Sequence, residues 1–112
     1  MSQITTHILD TSSGTPAKDV AVTLYSNNAD GWQKVAADRT NQDGRVADWL
    51  GNEVLDGGQY KLHFATAEYY ERKKVATFYP FVEIIFTVAD DGQHYHVPLL
   101  LNPFGYSTYR GS

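Results

Sequence analysis

The sequence contains no cysteine, which excludes disulfide bonds, thiolate metal ligands and cysteine nucleophiles. It also lacks the run of about 20 apolar residues that a membrane-spanning helix requires. The N-terminal segment Met-Ser-Gln-Ile-Thr-Thr-His has neither the basic start nor the apolar core of a signal peptide. Basic residues are sparse, with 9 lysines and arginines against 13 acidic residues. Because no basic stripe is present, we expect no nucleic-acid partner. Since neither a signal peptide nor a membrane span is visible, we expect a cytoplasmic protein that does not bind membranes.

Aromatic side chains are abundant, with 8 tyrosines and 5 phenylalanines among 112 residues. Aromatic residues are enriched in strands, so the composition favours β structure. A chain of this length fits one domain, predicted to span residues 1–112, and leaves no room for a second. The composition therefore indicates a single β-rich domain.

Apolar residues recur at every second position in several short segments, which is the pattern of strands with one buried face. The three clearest rows are Val20, Val22 and Leu24; Tyr60, Leu62 and Phe64; and Val82, Ile84, Phe86 and Val88. Further strands are predicted at residues 4–9, 33–40, 94–101 and 106–109. Turns rich in glycine, asparagine and aspartate separate these segments. Short strands with turns at this spacing predict an all-β sandwich.

One short α-helix is predicted at residues 67–74. Thr66 is the expected N-cap, and Glu68 lies in the first turn, where a negative charge is favourable. Three basic residues crowd the last turn, where positive charge is favourable. The helix is the one predicted departure from β structure.

The histidines are the first candidates for chemistry, because histidine changes charge near neutral pH. His7 lies in a predicted strand and shares its face with Thr5. His94 and His96 are two positions apart, so both imidazoles lie on one face of their strand. A lone strand histidine is more often a surface residue or a hydrogen-bonded filler, which is the interpretation favoured for His63 and His94.

The His-x-His pair also has the spacing of two zinc ligands, with His7 as a third. No acidic residue in the same segment completes the set, so zinc is the lesser interpretation. Arg45 follows the Asn-Gln-Asp-Gly turn, where a solvated arginine is common. Its planar guanidinium would also suit carbonyls and oxyanions. Periodicity does not choose between these two roles.

The segment 102–112 differs from a typical chain end, because it carries aromatic residues, a β-branched threonine and a cation. It follows Pro98 and three leucines, a continuous apolar run that suits an edge strand or the start of a strand. We therefore expect the segment to be docked on the domain.

Two segments together resemble the transthyretin superfamily. The first runs from His7-Ile8-Leu9-Asp10 through Gly14, Pro16, Ala17, Val20 and Val22, and the second from His94-Tyr95-His96-Val97-Pro98 through Leu101 to Tyr106-Ser107-Thr108. The closing tetrapeptide Tyr109-Arg110-Gly111-Ser112 resembles that of 5-hydroxyisourate hydrolases. Asn102 departs from the family's usual Leu-Ser-Pro, at a turn beside the site.

The resemblance implies a transthyretin-like (prealbumin-like) β-sandwich of about eight strands with one short helix. It implies a hydrolase of purine metabolism that converts 5-hydroxyisourate to 2-oxo-4-hydroxy-4-carboxy-5-ureidoimidazoline during urate degradation. It further implies a homotetramer, a dimer of dimers with active sites in a channel, and neither a metal nor an organic cofactor. The residues implied are as follows: catalytic His7, Arg45, His96 and Ser112; substrate-binding His7, Arg45, Tyr109, Arg110 and Gly111.

The main alternative is a non-enzymatic transthyretin-like protein that binds a small aromatic ligand, since a fold does not determine function. A structural sandwich domain is a second alternative. His7, Arg45, His96 and the closing tetrapeptide favour the enzyme, because a carrier does not need all of them together.

Overall fold

The computed structural model describes residues 2–112, which form two β-sheets packed around a shared core, with one short helix. The elements are β1 (Ile4–Asp10), β2 (Thr15–Pro16), β3 (Ala21–Asn28), β4 (Gly31–Arg39), β5 (Arg45–Val46), β6 (Gly58–Phe64), α1 (Thr66–Arg72), β7 (Val82–Val88), β8 (Tyr95–Asn102) and β9 (Gly105–Thr108). The predicted all-β sandwich with one helix is confirmed.

The first sheet, called sheet A, has the strand order β2-β1-β8-β9, and β5 also pairs with β1. The second, sheet B, has the order β4-β3-β6-β7. Strands β1 and β8 run parallel, whereas every other strand pair is antiparallel. The parallel pair brings the first strand beside a segment about 90 residues later, and the candidate site lies on this pair.

The predicted apolar rows form the core between the sheets. Alternate residues of β3, β6 and β7 point inward and pack against alternate residues of β1 and β8. Side chains with at most 1% exposure include Ile4, Ile8, Val20, Val22, Leu24, Leu62, Phe64, Val82, Val88 and Leu99. Because each such strand buries one face, its other face is free to carry polar groups.

Two short strands were not predicted from the sequence. Strands β2 and β5 have two residues each, too few to show an alternation. The ends of the predicted strands also shift by one or two residues, as for β4, which begins at Gly31 and ends at Arg39. Two-residue pairing depends on the neighbouring strand rather than on a local pattern.

The helix is shorter than predicted, and the expected cap is wrong. Thr66 is the first helical residue, while Ala65 occupies the N-cap position without a side-chain hydrogen bond. The Oγ1 atom of Thr66 is buried and has no hydrogen-bond partner. At the other end, Lys74 has a positive φ of 58°, which the helix cannot continue through.

The helix is held against sheet A by a buried carboxylate. Asp10, at the end of β1, is fully buried and accepts hydrogen bonds from the hydroxyls of Tyr69 (2.8 Å) and Tyr70 (3.2 Å). The backbone amide and hydroxyl of Ser12 also donate to it, and the Nζ of Lys73 lies 3.5 Å away.

Within residues 2–112, no helix has the length and apolar character needed to cross a membrane.

Candidate active site

The candidate site lies on the outer face of sheet A. Strand β1 turns Ile4 and Ile8 into the core, so Thr5 and His7 point outward. In the parallel register, Thr5 lies opposite His96 and His7 lies opposite Pro98. His96 is on the outer face as well, since the neighbouring Tyr95 is buried. Paired strands are about 4.8 Å apart, so the two histidines meet on one surface.

Arg45 joins this surface through β5. Its Cα is the partner of the His7 Cα, on the side of β1 opposite to β8. The preceding turn is held by Asn41, whose Oδ1 accepts hydrogen bonds from the backbone amides of Asp43 (2.9 Å) and Arg45 (3.0 Å). The turn therefore places Arg45 beside His7, near enough for its charge to act on the imidazole, while the arginine itself is exposed.

Gly44 allows this turn to approach β1 closely. Its carbonyl accepts a hydrogen bond of 2.8 Å from the amide of Ile8, and its φ is +73°. A Cβ atom at this position would lie 2.5 Å from the carbonyl oxygen of Ile8. Only glycine fits such a contact, so the residue before Arg45 is constrained by the backbone of β1.

The surroundings lower the pKa of both outward histidines. For His7 the causes are burial, which disfavours the charged ring, and then the positive charge of Arg45, while Asp43 acts in the opposite direction. For His96 burial again comes first, followed by Arg45 and then the neighbouring His7 and His94. Both imidazoles are thus favoured in the neutral form at pH 7, as a general base requires.

The orientation of His96 is also fixed by a hydrogen bond to the Thr5 hydroxyl. The Thr5 hydroxyl lies 2.8 Å from Nδ1 of His96 and 3.0 Å from Nε2 of His94, and the two imidazole rings stack with an interplanar angle of 15°. Thr5 is 5% exposed and so is largely shielded from water, whereas His94 is exposed. Since Nδ1 is engaged, Nε2 is the nitrogen of His96 that remains for chemistry.

The docked C-terminal segment reaches His96. Gly111 forms an isolated antiparallel bridge with it, in which the Gly111 amide donates to the His96 carbonyl at 2.8 Å. A methyl group added at Gly111 would lie 2.6 Å from Cδ2 of His96, so the imidazole packs directly on the glycine. Ser112 follows immediately and is exposed. The segment is docked, as expected.

The side chains of Tyr109 and Arg110 lie apart from His7 and His96 in the described chain. The Arg110 guanidinium stacks 4.4 Å from the ring centre of Tyr95 and donates to Oε1 of Gln93 at 2.6 Å. Tyr109 is 57% exposed and, with Arg110, lines a cavity of about 250 Å³ at the edges of β7 and β8. The structure thus brings together His7, Arg45, His96 and Gly111, but not the side chains of Tyr109 and Arg110.

Metal binding has little support from the donor geometry. Among residues 2–112, no three histidine, aspartate or glutamate side chains are grouped so that they could hold a metal ion. In the His-x-His pair, Nε2 of His94 and Nδ1 of His96 both face the hydroxyl of Thr5. The zinc-ligand spacing therefore corresponds to a hydrogen-bonded arrangement.

Two side chains beside the site, Thr5 and His94, form a contact that no local sequence pattern predicts. Thr5 shares the face of His7, and His94 that of His96, but the bond between them depends on the register of β1 against β8. Asn102, where the family resemblance predicts serine, accepts a hydrogen bond from the Phe104 amide at 2.9 Å and closes the β8–β9 turn. A serine side chain can form a similar bond, so the departure leaves the turn intact.

Together, the fold and the site define a transthyretin-like sandwich with two histidines of lowered pKa and an exposed arginine on the outer face of one sheet. The sequence model described as "HIUase/Transthyretin family" matches residues 4–111, and the chain belongs to this family.

The similar proteins include 5-hydroxyisourate hydrolases and a transthyretin solved with thyroxine. The 5-hydroxyisourate hydrolase of Ralstonia nicotianae is 48% identical, and the alignment covers 100% of both chains. The 5-hydroxyisourate hydrolase structure from Klebsiella pneumoniae superposes with a TM-score of 0.87 at 37% identity, covering 99% of this chain and 100% of that one. Sea bream transthyretin in complex with thyroxine superposes with a TM-score of 0.92 at 30% identity, covering 98% and 95%. Fold similarity alone does not separate the two activities.

Proposed function

We propose that this protein hydrolyses 5-hydroxyisourate to 2-oxo-4-hydroxy-4-carboxy-5-ureidoimidazoline in urate degradation. The observation that carries the proposal is the convergence of His7, Arg45 and His96 on one face of sheet A. A relative named for this activity matches the whole chain at 48% identity. The substrate is a purine-derived ring with several carbonyl groups, which suits a cationic surface with hydrogen-bonding imidazoles.

The reaction adds water to a ring carbonyl and expels a ring nitrogen. His96 takes a proton from the attacking water at Nε2, since its Nδ1 is held by Thr5. Arg45 binds the substrate carbonyls and stabilises the oxyanion that develops. His7, beside Arg45, assists the proton transfer to the leaving nitrogen. Each proton transfer by a positioned group contributes about 10²- to 10⁴-fold.

The closing residues complete the site in this proposal. Gly111 packs against the His96 imidazole and holds it in place, and Ser112 orients the substrate or the water. Tyr109 and Arg110 bind substrate after they turn toward the site or from a neighbouring subunit. That role rests on the resemblance, because the Arg110 side chain lies on Tyr95 in the protomer.

The proposed assembly is a homotetramer, a dimer of dimers in which the outer faces of two A sheets line a channel. An open sheet face leaves the substrate in water, whereas a second face would exclude water and strengthen the electrostatic contacts of Arg45. Light scattering during size-exclusion chromatography tests the mass. A monomer at micromolar concentration would contradict this assembly. The cytoplasmic location stays a prediction, which cell fractionation tests.

Binding without catalysis, as in a hormone carrier, is the competing function. The sea bream protein was solved with thyroxine and superposes closely on this chain. Imidazoles of lowered pKa beside a guanidinium favour hydrolysis, because binding alone requires neither a general base nor stabilisation of a developing oxyanion.

An ultraviolet assay with freshly generated 5-hydroxyisourate tests the proposal. The substrate decays unaided, so the rate is compared with that in buffer and with that of His96→Ala. We expect the wild type to exceed buffer and the variant to lose about 10²- to 10⁴-fold in kcat. His63→Ala is the matched control, since His63 lies on sheet B, bonded to Glu83. Wild type equal to buffer would contradict the function.

A further inference from the structure

The Thr5 hydroxyl lies between two imidazole nitrogens, and this position limits where protons can be. It is 2.8 Å from Nδ1 of His96 and 3.0 Å from Nε2 of His94. A hydroxyl has one proton to donate, whereas its oxygen can accept. Between two neutral rings, therefore, one facing nitrogen is bare and accepts from Thr5, while the other carries a hydrogen and donates to it.

The two possible arrangements give His96 opposite chemistry. If Thr5 donates to His94, then His96 carries its proton on Nδ1, and its Nε2 is bare and basic. If His94 donates to Thr5, then Thr5 donates to Nδ1 of His96, and Nε2 carries the proton. Only the first arrangement lets His96 accept a proton from water, and only the second lets the neutral ring act as an acid.

The base-ready arrangement also accommodates the product of proton transfer. Once His96 takes a proton at Nε2, both of its nitrogens carry hydrogen, and Nδ1 still donates to Thr5. Thr5 in turn still donates to Nε2 of His94, so no hydrogen bond behind the ring has to break. The ring is also packed against Gly111 and cannot rotate freely to find another partner.

We propose that Thr5 and His94 are positioning residues that set the proton location on His96 and keep its Nε2 available as the base. This inference rests on the proposed hydrolase function. His94 acts through Thr5 rather than on the substrate, and it is coupled to His96 through a hydroxyl that is nearly buried.

The enzymatic test removes the hydroxyl without changing the side-chain shape. Thr5→Val should lower kcat about 10- to 100-fold with little change in KM, because partners that hold a catalytic or ligating histidine have effects of this size. Thr5→Ser, which restores the hydroxyl, should recover most of the activity. Thr11→Val is the matched control, since it removes a hydroxyl of the segment after β1 that bonds Leu101. Thr5→Val with the kcat of wild type would overturn the proposal.

Two substitutions of His94 separate positioning from general packing. The amide of glutamine reaches the position of Nε2, whereas that of asparagine stops near the position of Nδ1. His94→Gln should therefore retain substantially more kcat than His94→Asn, with similar melting temperatures. Equal kcat values for the two variants would contradict a role through Nε2.

Nitrogen NMR on the wild-type protein tests the coupling without any variant or substrate. Two-bond couplings in ¹⁵N-labelled histidine identify which ring nitrogen carries the proton in a neutral imidazole. At a pH where both rings are neutral, we expect Nδ1 of His96 to be protonated and Nε2 of His94 to be bare. A bare Nδ1 on His96, or the same protonation state at both facing nitrogens, would overturn the proposal. If the wild type lacks activity, the function fails, and the NMR result still decides the coupling.

Discussion

Sheet A carries polar groups on both faces along β1 and its neighbour β5, and the two faces differ in how far those groups are paired. On the inner face, the Asp10 carboxylate is surrounded by donors from Ser12, Tyr69 and Tyr70. On the outer face, the guanidinium of Arg45 forms no ion pair with any of residues 2–112. The paired cluster holds the fold together. The unpaired one leaves charge and ring nitrogens available to a ligand.

The pKa directions agree with this contrast. Burial by itself raises the pKa of Asp10, but the hydrogen bonds from Ser12 and Tyr69, together with Lys73, outweigh it and leave the pKa lowered. The carboxylate is thus stabilised in its charged form. On the outer face, burial and Arg45 lower the pKa of His96 without a carboxylate partner, which leaves a neutral ring able to accept a proton.

The largest expected effect is the loss of the outer charge. Arg45→Ala should lower kcat about 10²- to 10³-fold, since removal of an oxyanion donor has effects of this size. Stability should change little, because Arg45 is exposed and has no ion-pair partner in the described chain. Steady-state kinetics and a urea titration measure the two quantities. Arg39→Ala is the matched control, since Arg39 pairs with Asp19 and Glu68. Similar activity losses in both variants would contradict the contrast.

Substitution of Asp10 on the inner face should lower stability rather than activity. Asp10→Asn should lower the free energy of unfolding by about 2–4 kcal/mol, because buried donors lose a charged acceptor. The folded protein should keep its kcat at temperatures where it remains folded. Urea titration with parallel kinetics measures both. A stable but inactive Asp10→Asn protein would show that the inner cluster belongs to the site.

The sign of the pH dependence follows from the lowered pKa of Asp10. Its contribution to stability is fully present above the unfolded pKa of about 3.9 and is lost as pH falls through the lower folded value. The difference between wild type and Asp10→Asn should therefore be large at pH 7 and shrink in strong acid. An unchanged difference at low pH would contradict the stabilised carboxylate.

A smaller effect is expected where the C-terminal segment supports the site. Gly111→Ala places a methyl group 2.6 Å from Cδ2 of His96, so the ring must shift. We expect kcat to fall about 10- to 100-fold, since misplaced catalytic groups have effects of this size. Gly105→Ala is the matched control, because its added Cβ would lie 3.5 Å from Nδ2 of Asn102, an ordinary contact. Equal kcat values for the two variants would contradict the packing of His96 on Gly111.

The pH profile of kcat/KM should reflect the neutral histidines. The rate should be constant near pH 7 and fall below an inflection that lies under the ordinary histidine pKa of about 6.5. Because Arg45 helps to lower the pKa of His96, the residual activity of Arg45→Ala should show the inflection at higher pH. Rate measurements from pH 5 to 8 test this shift. An inflection that does not move would contradict the electrostatic coupling.

The smallest effect concerns the family departure at Asn102. Asn102→Ser should change the free energy of unfolding by less than about 0.5 kcal/mol, since both side chains can accept the Phe104 amide in a turn. Thermal unfolding measures the change. Asn102→Ala, which removes the acceptor, should be less stable than either. Equal stability of all three would show that the hydrogen bond does not contribute.

The sequence predicted those features that have a local pattern. The rows of β3, β6 and β7 alternate with period two, and their burial follows. The face of His96 follows in the same way from its neighbour Tyr95. By contrast, the bond from Thr5 to His94 depends on a strand register between residues 89 positions apart, which no local pattern records. The tyrosine partners of Asp10 lie on α1, 59 and 60 positions later in the sequence.

The roles of Arg45 and Gly111 came from the resemblance rather than from periodicity. Arg45 belongs to a two-residue strand, and the adjoining Gly44 packs on the Ile8 carbonyl at a distance that only the folded backbone shows. Arg110 shows that a matching motif does not by itself locate a side chain. Its place in the closing tetrapeptide predicts substrate binding, whereas its side chain covers Tyr95 in the protomer.

The parallel pairing of β1 with β8 has a consequence for biosynthesis. On the ribosome, β1 is made first, and its partner follows 91 residues later, after a delay on the order of 5–20 s at typical elongation rates. During this interval, the edge of β1 that later pairs with β8 has unpaired backbone N–H and C=O groups, which can pair with other chains. The surface that carries His7 thus forms among the last parts of the nascent protein, when β8 arrives to close the sheet.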